Sequence, residues 1–259
     1  MSSSSHTTLN DIYHSVVPTD YLEEGGWYTG IVISAPHGGG SKPVSIPNRK
    51  YGVLLQDTYT RRLTRAVIDL FPKATSPRYL ISNIHRIKVD FNRDIEEGAQ
   101  GNKSAERLWT DWNTRLTLSI NSSLHRNRKV LYVDIHSHND SDKFELGYNL
   151  SAKSYLELRK TGKTSHSTSI DSLDHDVYDM IFGPNSVKTS LEMFGYDVFE
   201  PTGKEVYFNG GRNIEKFNGN GTGAIQIEVP VSVAKRDFDK CASVLKYAIS
   251  NFSKAFVRK

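Results

Sequence analysis

The sequence predicts an α/β fold built as one domain, and three observations carry that expectation. Short apolar, β-branched runs recur at 28–35, 130–133 and 224–229, each the length of a buried strand. Around them lie stretches with apolar residues at helical spacing, the clearest at 103–126 and 233–256. No internal repeat or linker divides the 259 residues, which suffice to bury a core of their own. The domain is expected over 28–259. Residues 1–27 form a partly flexible N-terminal segment, frayed at its Ser/Thr-rich start, 1–8.

Taken in order, residues 28–35 read as a strand running into Pro36, His37 and three glycines, Gly38, Gly39 and Gly40. Without side chains these leave the backbone open to a ligand or to another segment of chain. Their spacing matches neither glycine-rich phosphate loop. Residues 57–71 form a helix with Leu63, Val67, Leu70 and Phe71 on its apolar face, and Pro72 stops it. Asp57 stands at its start, where a carboxylate ordinarily caps the first turn. A short strand at 79–84 leads into a charged stretch in which Arg86, Lys88 and Arg93 stand among Asp90 and Asp94. Such a stretch is either a surface ion-pair network or a set of arginines suited to gripping a carboxylate.

Residues 103–126 make the longest helix, whose Leu108, Trp112, Leu116, Ile120 and Leu124 form a stripe for packing on the sheet. The strand that follows passes abruptly from Val130–Val133 into Asp134, Ile135, His136, Ser137 and His138. Side chains two apart on a strand share a face, so Asp134, His136 and His138 line up at one strand end. In open α/β sheets that is where ligands bind. A short strand at 144–150, a polar loop at 160–174 and a helix at 186–194 closed by Gly195 come next. His166 and His175 read as ordinary loop residues. A Gly/Asn-rich loop from Tyr207 to Gly223 precedes the strand at 224–229, which carries Glu228 near its end. The last helix, 233–256, faces the core with Phe238, Cys241, Leu245, Ile249, Phe252 and Phe256, and Cys241 there is a packed thiol rather than a nucleophile.

Charge and cysteine content narrow the function classes. The 33 basic and 29 acidic residues are dispersed and leave a net charge of +4, so no nucleic-acid partner is expected. One cysteine excludes an intrachain disulfide and a four-cysteine zinc site, so a metal would have to sit on histidine and carboxylate. With no signal peptide and no spanning apolar run in view, a cytoplasmic protein without a membrane partner is expected. Oligomeric state is left open.

At least three strands deliver chemistry at their ends: His37, the Asp134/His136/His138 trio, and Glu228. Arg93 follows a fourth. A hydrolytic metal site needs about three N/O ligands, a carboxylate to accept a proton from water, and a cation for the substrate. This inventory contains all of them, and the residues alone point to a metal-dependent hydrolase.

The ordered motifs also carry a resemblance: Pro36-His37-Gly38-Gly39, Asp57-Thr58-Tyr59-Thr60, Val89-Asp90-Phe91-Asn92-Arg93-Asp94, Asp134-Ile135-His136-Ser137, Asn209-Gly210-Gly211 and Ile225-Gln226-Ile227-Glu228. In that order they resemble the N-formylglutamate amidohydrolase family, itself similar to zinc carboxypeptidases and phage poly-γ-glutamate hydrolases. The resemblance implies a mixed sheet flanked by helices, of the zinc-carboxypeptidase kind, with one Zn2+ per chain. It implies His37 and His136 as ligands and Glu228 as general base. Asn92 and Arg93, with Arg86, Gly210 and Gly211, would bind a small acidic substrate or an acidic peptide end, and Arg93 is also expected as a catalytic residue, polarising the carbonyl or anchoring the carboxylate. The carboxypeptidase His-x-x-Glu pattern is absent, because Gly40 stands three residues after His37. Asp57, in a segment that resembles the family's D-x-Y-T stretch, is taken as the third ligand with His138 as its competitor, and Asp134 as a partner for the other ring nitrogen of a liganding histidine. Three functional alternatives remain. They are a carboxypeptidase or γ-glutamyl hydrolase using the same residues, a non-catalytic binder of acidic ligands, and, least supported, a nucleic-acid module.

Overall fold

The computed structural model describes residues 21–203 and 207–257; the Ser/Thr-rich start lies outside them. Its centre is a mixed sheet of six strands: β1 (Leu22–Gly25), β2 (Trp27–Ala35), β3 (Pro77–Ser82), β4 (Val130–His138), β5 (Glu145–Gly147) and β6 (Thr222–Pro230). The strand order is β1-β3-β2-β4-β6-β5. The four inner strands run parallel, and the short edge strands β1 and β5 are antiparallel to their neighbours. Strand β1 falls within the segment set aside from the sequence as N-terminal; its four residues carry too little apolar alternation to mark a strand.

Helices cover both faces. Helix α1 spans Thr60–Asp69, α2 Ile95–Ala99, α3 Lys103–Asn127, α4 Ala152–Thr161, α5 Val177–Phe182, α6 Val187–Met193, α7 Arg212–Lys216, α8 Val231–Arg236 and α9 Phe238–Phe256. Strand alternation sorts the core into two layers. Odd-numbered Ile31, Ile33, Leu131, Val133, Ile225 and Ile227 pack with Leu63 and Val67 of α1 and Leu245, Ile249 and Phe252 of α9. Even-numbered Val32, Leu80, Tyr132 and Ala224 pack with Leu108, Trp112, Leu116 and Ile120 of α3, where Phe91 stacks on Trp112 at 4.8 Å.

Four details depart from the sequence expectation. Leu70, assigned to the apolar face, is 46% exposed, because α1 ends at Asp69 and Leu70 is its C-cap. Helix α4 occupies a stretch left mostly unassigned, its end overlapping the expected polar loop; Ser151 Oγ accepts from Ser154 N–H as its N-cap and starts a helix that only a weak apolar face supports. A short α7 interrupts the Gly/Asn-rich loop. The last helix is two: Asp237, at φ −130° and ψ 48°, breaks it into α8 and α9.

Candidate metal centre

At the C-terminal ends of the parallel strands, the even-numbered face turns from apolar to polar. Ser34 follows Val32 on β2, Asp134 and His136 follow Tyr132 on β4, and Gln226 and Glu228 follow Ala224 on β6. The β4·β6 register sets His136 directly opposite Glu228. His37 sits just beyond the end of β2, and the segment Asp57–Thr60 is stitched between both strand ends. Asp57 N–H donates to the His37 carbonyl at 3.3 Å, and Ser137 Oγ donates to the Thr58 carbonyl at 2.7 Å. Tyr59 then takes φ 70°, in the left-handed region, and α1 begins without a side-chain cap. Asp57 therefore does not cap the helix. The turn at Tyr59 releases its carboxylate toward the histidines.

Three donor atoms converge there. His136 Nδ1 lies 2.9 Å from Asp57 Oδ2, His37 Nδ1 lies 3.4 Å from the same oxygen, and the two Nδ1 atoms are 3.2 Å apart. Donors at the corners of a tetrahedral zinc site are separated by about 3.3 Å, from metal–ligand distances near 2.0–2.1 Å. The three residues are buried. Each imidazole is backed on its other nitrogen by a carboxylate, with His37 Nε2 2.7 Å from Asp90 Oδ1 and His136 Nε2 3.1 Å from Asp134 Oδ2. A proton on each Nε2 satisfies those acids and leaves both Nδ1 lone pairs aimed at the cluster, the arrangement that orients liganding histidines.

Charge points the same way. Among the described residues, Asp57, Asp90, Asp134 and Glu228 face two guanidiniums, those of Arg49 and Arg86, an excess of two acids when both imidazoles are neutral. A proton on His136 cancels one; a divalent cation cancels both. Burial opposes a charged His136, but Asp134, with Asp57 and Glu228, outweighs it and raises the imidazole to about 10. Burial also opposes ionisation of Asp57, yet the facing His37 and His136 hold its carboxyl well below the usual range. Glu228 is pushed up, first by burial, with His136 pulling it down and Asp57 adding to the rise. Its Oε1 lies 4.0 Å from His136 Nδ1, and its side chain is 14% exposed, more than any of the three donors. The donor set, its geometry and its charge fit a divalent metal.

Other residues singled out from the sequence are placed differently. His138 stays outside the cluster, with Nε2 bonded to the Lys143 carbonyl at 3.0 Å and Nδ1 accepting from Asp140 N–H at 3.3 Å. Arg86 and Asn92, expected to meet substrate, are turned inward. Arg86 donates from Nη1 to Asp57 Oδ1 at 3.2 Å and from Nε to Asp90 Oδ2 at 2.8 Å. Asn92 Oδ1 accepts from Asn213 N–H at 2.8 Å, and its Nδ2 lies 3.4 Å from both Gln226 Oε1 and His136 Nε2. Arg93, about one-third exposed, lines an open cleft of about 560 Å³ with Asn149, Asn209, Gly210, Gly211 and Arg212, but the acids Asp94, Glu96, Glu97 and Glu215 line it too, and Arg93 Nε lies 3.4 Å from Glu97 Oε1. Gly211 has an additional structural reason: a Cβ there would overlap the Asn92 amide. Gly38 and Gly39 likewise make room for chain, since a Cβ on either would overlap backbone of Arg61 or of Asn83 and Ile84.

Two residues central to this frame carried little sequence signal. Asp90 looked like one acid in a charged stretch, though fully buried Val89 and Phe91 flank it. Arg49 lies in an aperiodic loop and is 4% exposed. It donates to the carbonyls of Val53, Arg86 and Glu97 at 2.9, 3.1 and 3.0 Å and reaches Asp90 Oδ2 at 3.5 Å.

No family model and no curated protein matches the chain. Solved structures do. An N-formylglutamate amidohydrolase from Ralstonia eutropha aligns over 91% of this chain and 96% of its own, with TM-score 0.57 and 14% identity. A gene product of Agrobacterium tumefaciens aligns over 91% and 94%, with TM-score 0.57 and 13% identity. A bacteriophage poly-γ-glutamate hydrolase aligns over 95% and 97%, with TM-score 0.47 and 12% identity. Over 91% of its residues, the chain has the fold of the N-formylglutamate amidohydrolase structure.

Proposed function

We propose that the protein is a zinc-dependent hydrolase of C–N bonds, cleaving an amide in a small acidic N-acyl amino acid or at an acidic peptide end. The observation that carries this reading is the convergence of His37 Nδ1, His136 Nδ1 and Asp57 Oδ2, each imidazole backed by a buried carboxylate, with Glu228 Oε1 4.0 Å from His136 Nδ1. The shared fold with an amidohydrolase agrees with it. A divalent ion held by these three residues supplies Lewis acidity toward an amide carbonyl and makes water nucleophilic at neutral pH.

The chain's own residues supply the rest. Glu228 accepts the proton of the attacking water and returns it to the departing nitrogen, a task suited to a carboxylate whose pKa burial has raised. Arg93, which lies 3.4 Å from Glu97 Oε1 at the cleft, would turn from that carboxylate to hold the one on the substrate. Asp134 and Asp90 keep the imidazoles in one tautomer and one orientation.

The test combines elemental analysis with a panel of N-acyl amino acids, peptides and γ-linked oligomers. Wild type is expected to hold about one zinc per chain. Glu228→Gln is expected to keep that metal while losing on the order of 10²–10⁴ in kcat. Full activity in Glu228→Gln would overturn the mechanism. Metal uptake without cleavage of any panel member would leave a binding protein.

A further inference from the structure

Arg86 closes a ring of charged contacts around the centre. From His37 Nε2 the path runs to Asp90 Oδ1 at 2.7 Å, and from Asp90 Oδ2 to Arg86 Nε at 2.8 Å. It continues from Arg86 Nη1 to Asp57 Oδ1 at 3.2 Å, and from Asp57 Oδ2 back to His37 Nδ1 at 3.4 Å. Each carboxylate in the ring is split in the same way, one oxygen turned to a histidine and the other to the guanidinium. Arg86 is 8% exposed, so these contacts are made away from bulk solvent, where a planar fork spanning two acids is at its strongest.

From this geometry we infer that Arg86 is a positioning residue for the metal centre, an inference that rests on the metal-hydrolase reading above. By occupying Asp57 Oδ1, it leaves Oδ2 as the one oxygen of that carboxylate free for a cation. A cation bound there would meet one oxygen of that carboxylate rather than two. By gripping Asp90 with the same guanidinium, it locks the orientation of His37 to that of Asp57. Two ligands from distant parts of the chain then move as one unit. Lysine could replace the charge but not the fork.

The test uses the full chain with Arg86→Lys and Arg86→Met beside wild type. Zinc affinity is read by chelator competition, and coordination by the visible spectrum of the cobalt(II)-loaded protein. Both variants are expected to bind zinc about 10- to 100-fold more weakly, the usual cost of losing a partner of a metal ligand. Their cobalt bands are expected to weaken as Asp57 becomes free to bind through both oxygens and coordination number rises. Circular dichroism identifies any variant that fails to fold, and Arg86→Lys retains the cation that the buried acids require. Wild-type zinc affinity and an unchanged cobalt spectrum in folded variants would overturn the inference while the metal reading stands; a raised KM alongside would make Arg86 a substrate contact. A wild-type protein that takes up neither metal would remove the metal reading itself, and this role with it.

Discussion

Replacing Asp90 by alanine tests the frame around the candidate centre most directly. The carboxylate is fully buried and takes hydrogen bonds from His37 Nε2, Asn92 N–H and Arg86 Nε at 2.7, 3.0 and 2.8 Å, with Arg49 Nη1 at 3.5 Å. Arg86 would keep Asp57, and Arg49 would keep its four backbone carbonyls, so neither guanidinium would be wholly abandoned. The imidazole nitrogen and the Asn92 amide would lose their acceptor outright. Breaking one partner out of such a buried network costs about 3–5 kcal/mol. At about 2–4 °C per kcal/mol for a chain of this size, Tm should fall by about 6–20 °C. The assay is urea and thermal unfolding of the metal-free protein at pH 7.

The same substitution has a pH signature. Burial works against an ionised Asp90, but His37 and Arg86 outweigh it and hold its pKa below the ordinary value. A depressed pKa contributes stability that is fully present above the unfolded value, about 3.9, and lost as pH falls toward the folded one. The gap between wild type and Asp90→Ala should therefore narrow below about pH 4. Adding Arg86→Met to Asp90→Ala should cost less than the sum of the two single changes, by about 0.5–3 kcal/mol, because the second removes a charge that the first left under-paired. A single-variant loss under about 1 kcal/mol, or strict additivity in the cycle, would refute the network.

Two further outcomes follow from other parts of the structure. In the metal-free protein His136 is raised to about 10, so its charged form contributes stability that is present below its unfolded pKa, about 6.5, and lost as pH rises toward 10. Unfolding of wild type and His136→Gln between pH 6 and 10 should converge at the alkaline end, and zinc uptake near pH 7 should release protons. Gly38→Ala, whose Cβ would overlap the Arg61 backbone, should lose about 1–3 kcal/mol of stability, while Gly40→Ala, with nothing within 4 Å, should be near neutral by the same unfolding assay.

The parallel core strands were legible in the sequence because burial on both faces writes them as continuous apolar runs. His37, His136 and Glu228 were legible for a related reason: each stands where such a run gives way to polar residues. Asp57 was ambiguous. A carboxylate three residues before a helix reads as a cap, and only the left-handed turn at Tyr59 redirects it. Arg86 and Asn92 show the opposite limit. Their residue types suit substrate binding, but whether a guanidinium faces a cleft or two buried acids depends on residues 29 positions upstream and four downstream coming together in space. Arg49 could not be read at all, since its partners are mostly backbone carbonyls, which every residue offers.

Strand order also has a consequence for how the chain is made. Strand β6, the last in sequence, is inserted between β4 and β5 rather than added at an edge. As the chain leaves the ribosome, β4 therefore presents an open hydrogen-bonding edge, and Leu131, Val133 and Ile135 on it lack one flank, until residues 222–230 emerge. For that interval the open edge of β4 is a template on which another extended chain could pair. Glu228 arrives on the same strand. The two histidines and Asp57 are all synthesised long before it, and a chain truncated ahead of β6 would carry the candidate ligands without the carboxylate proposed to move protons.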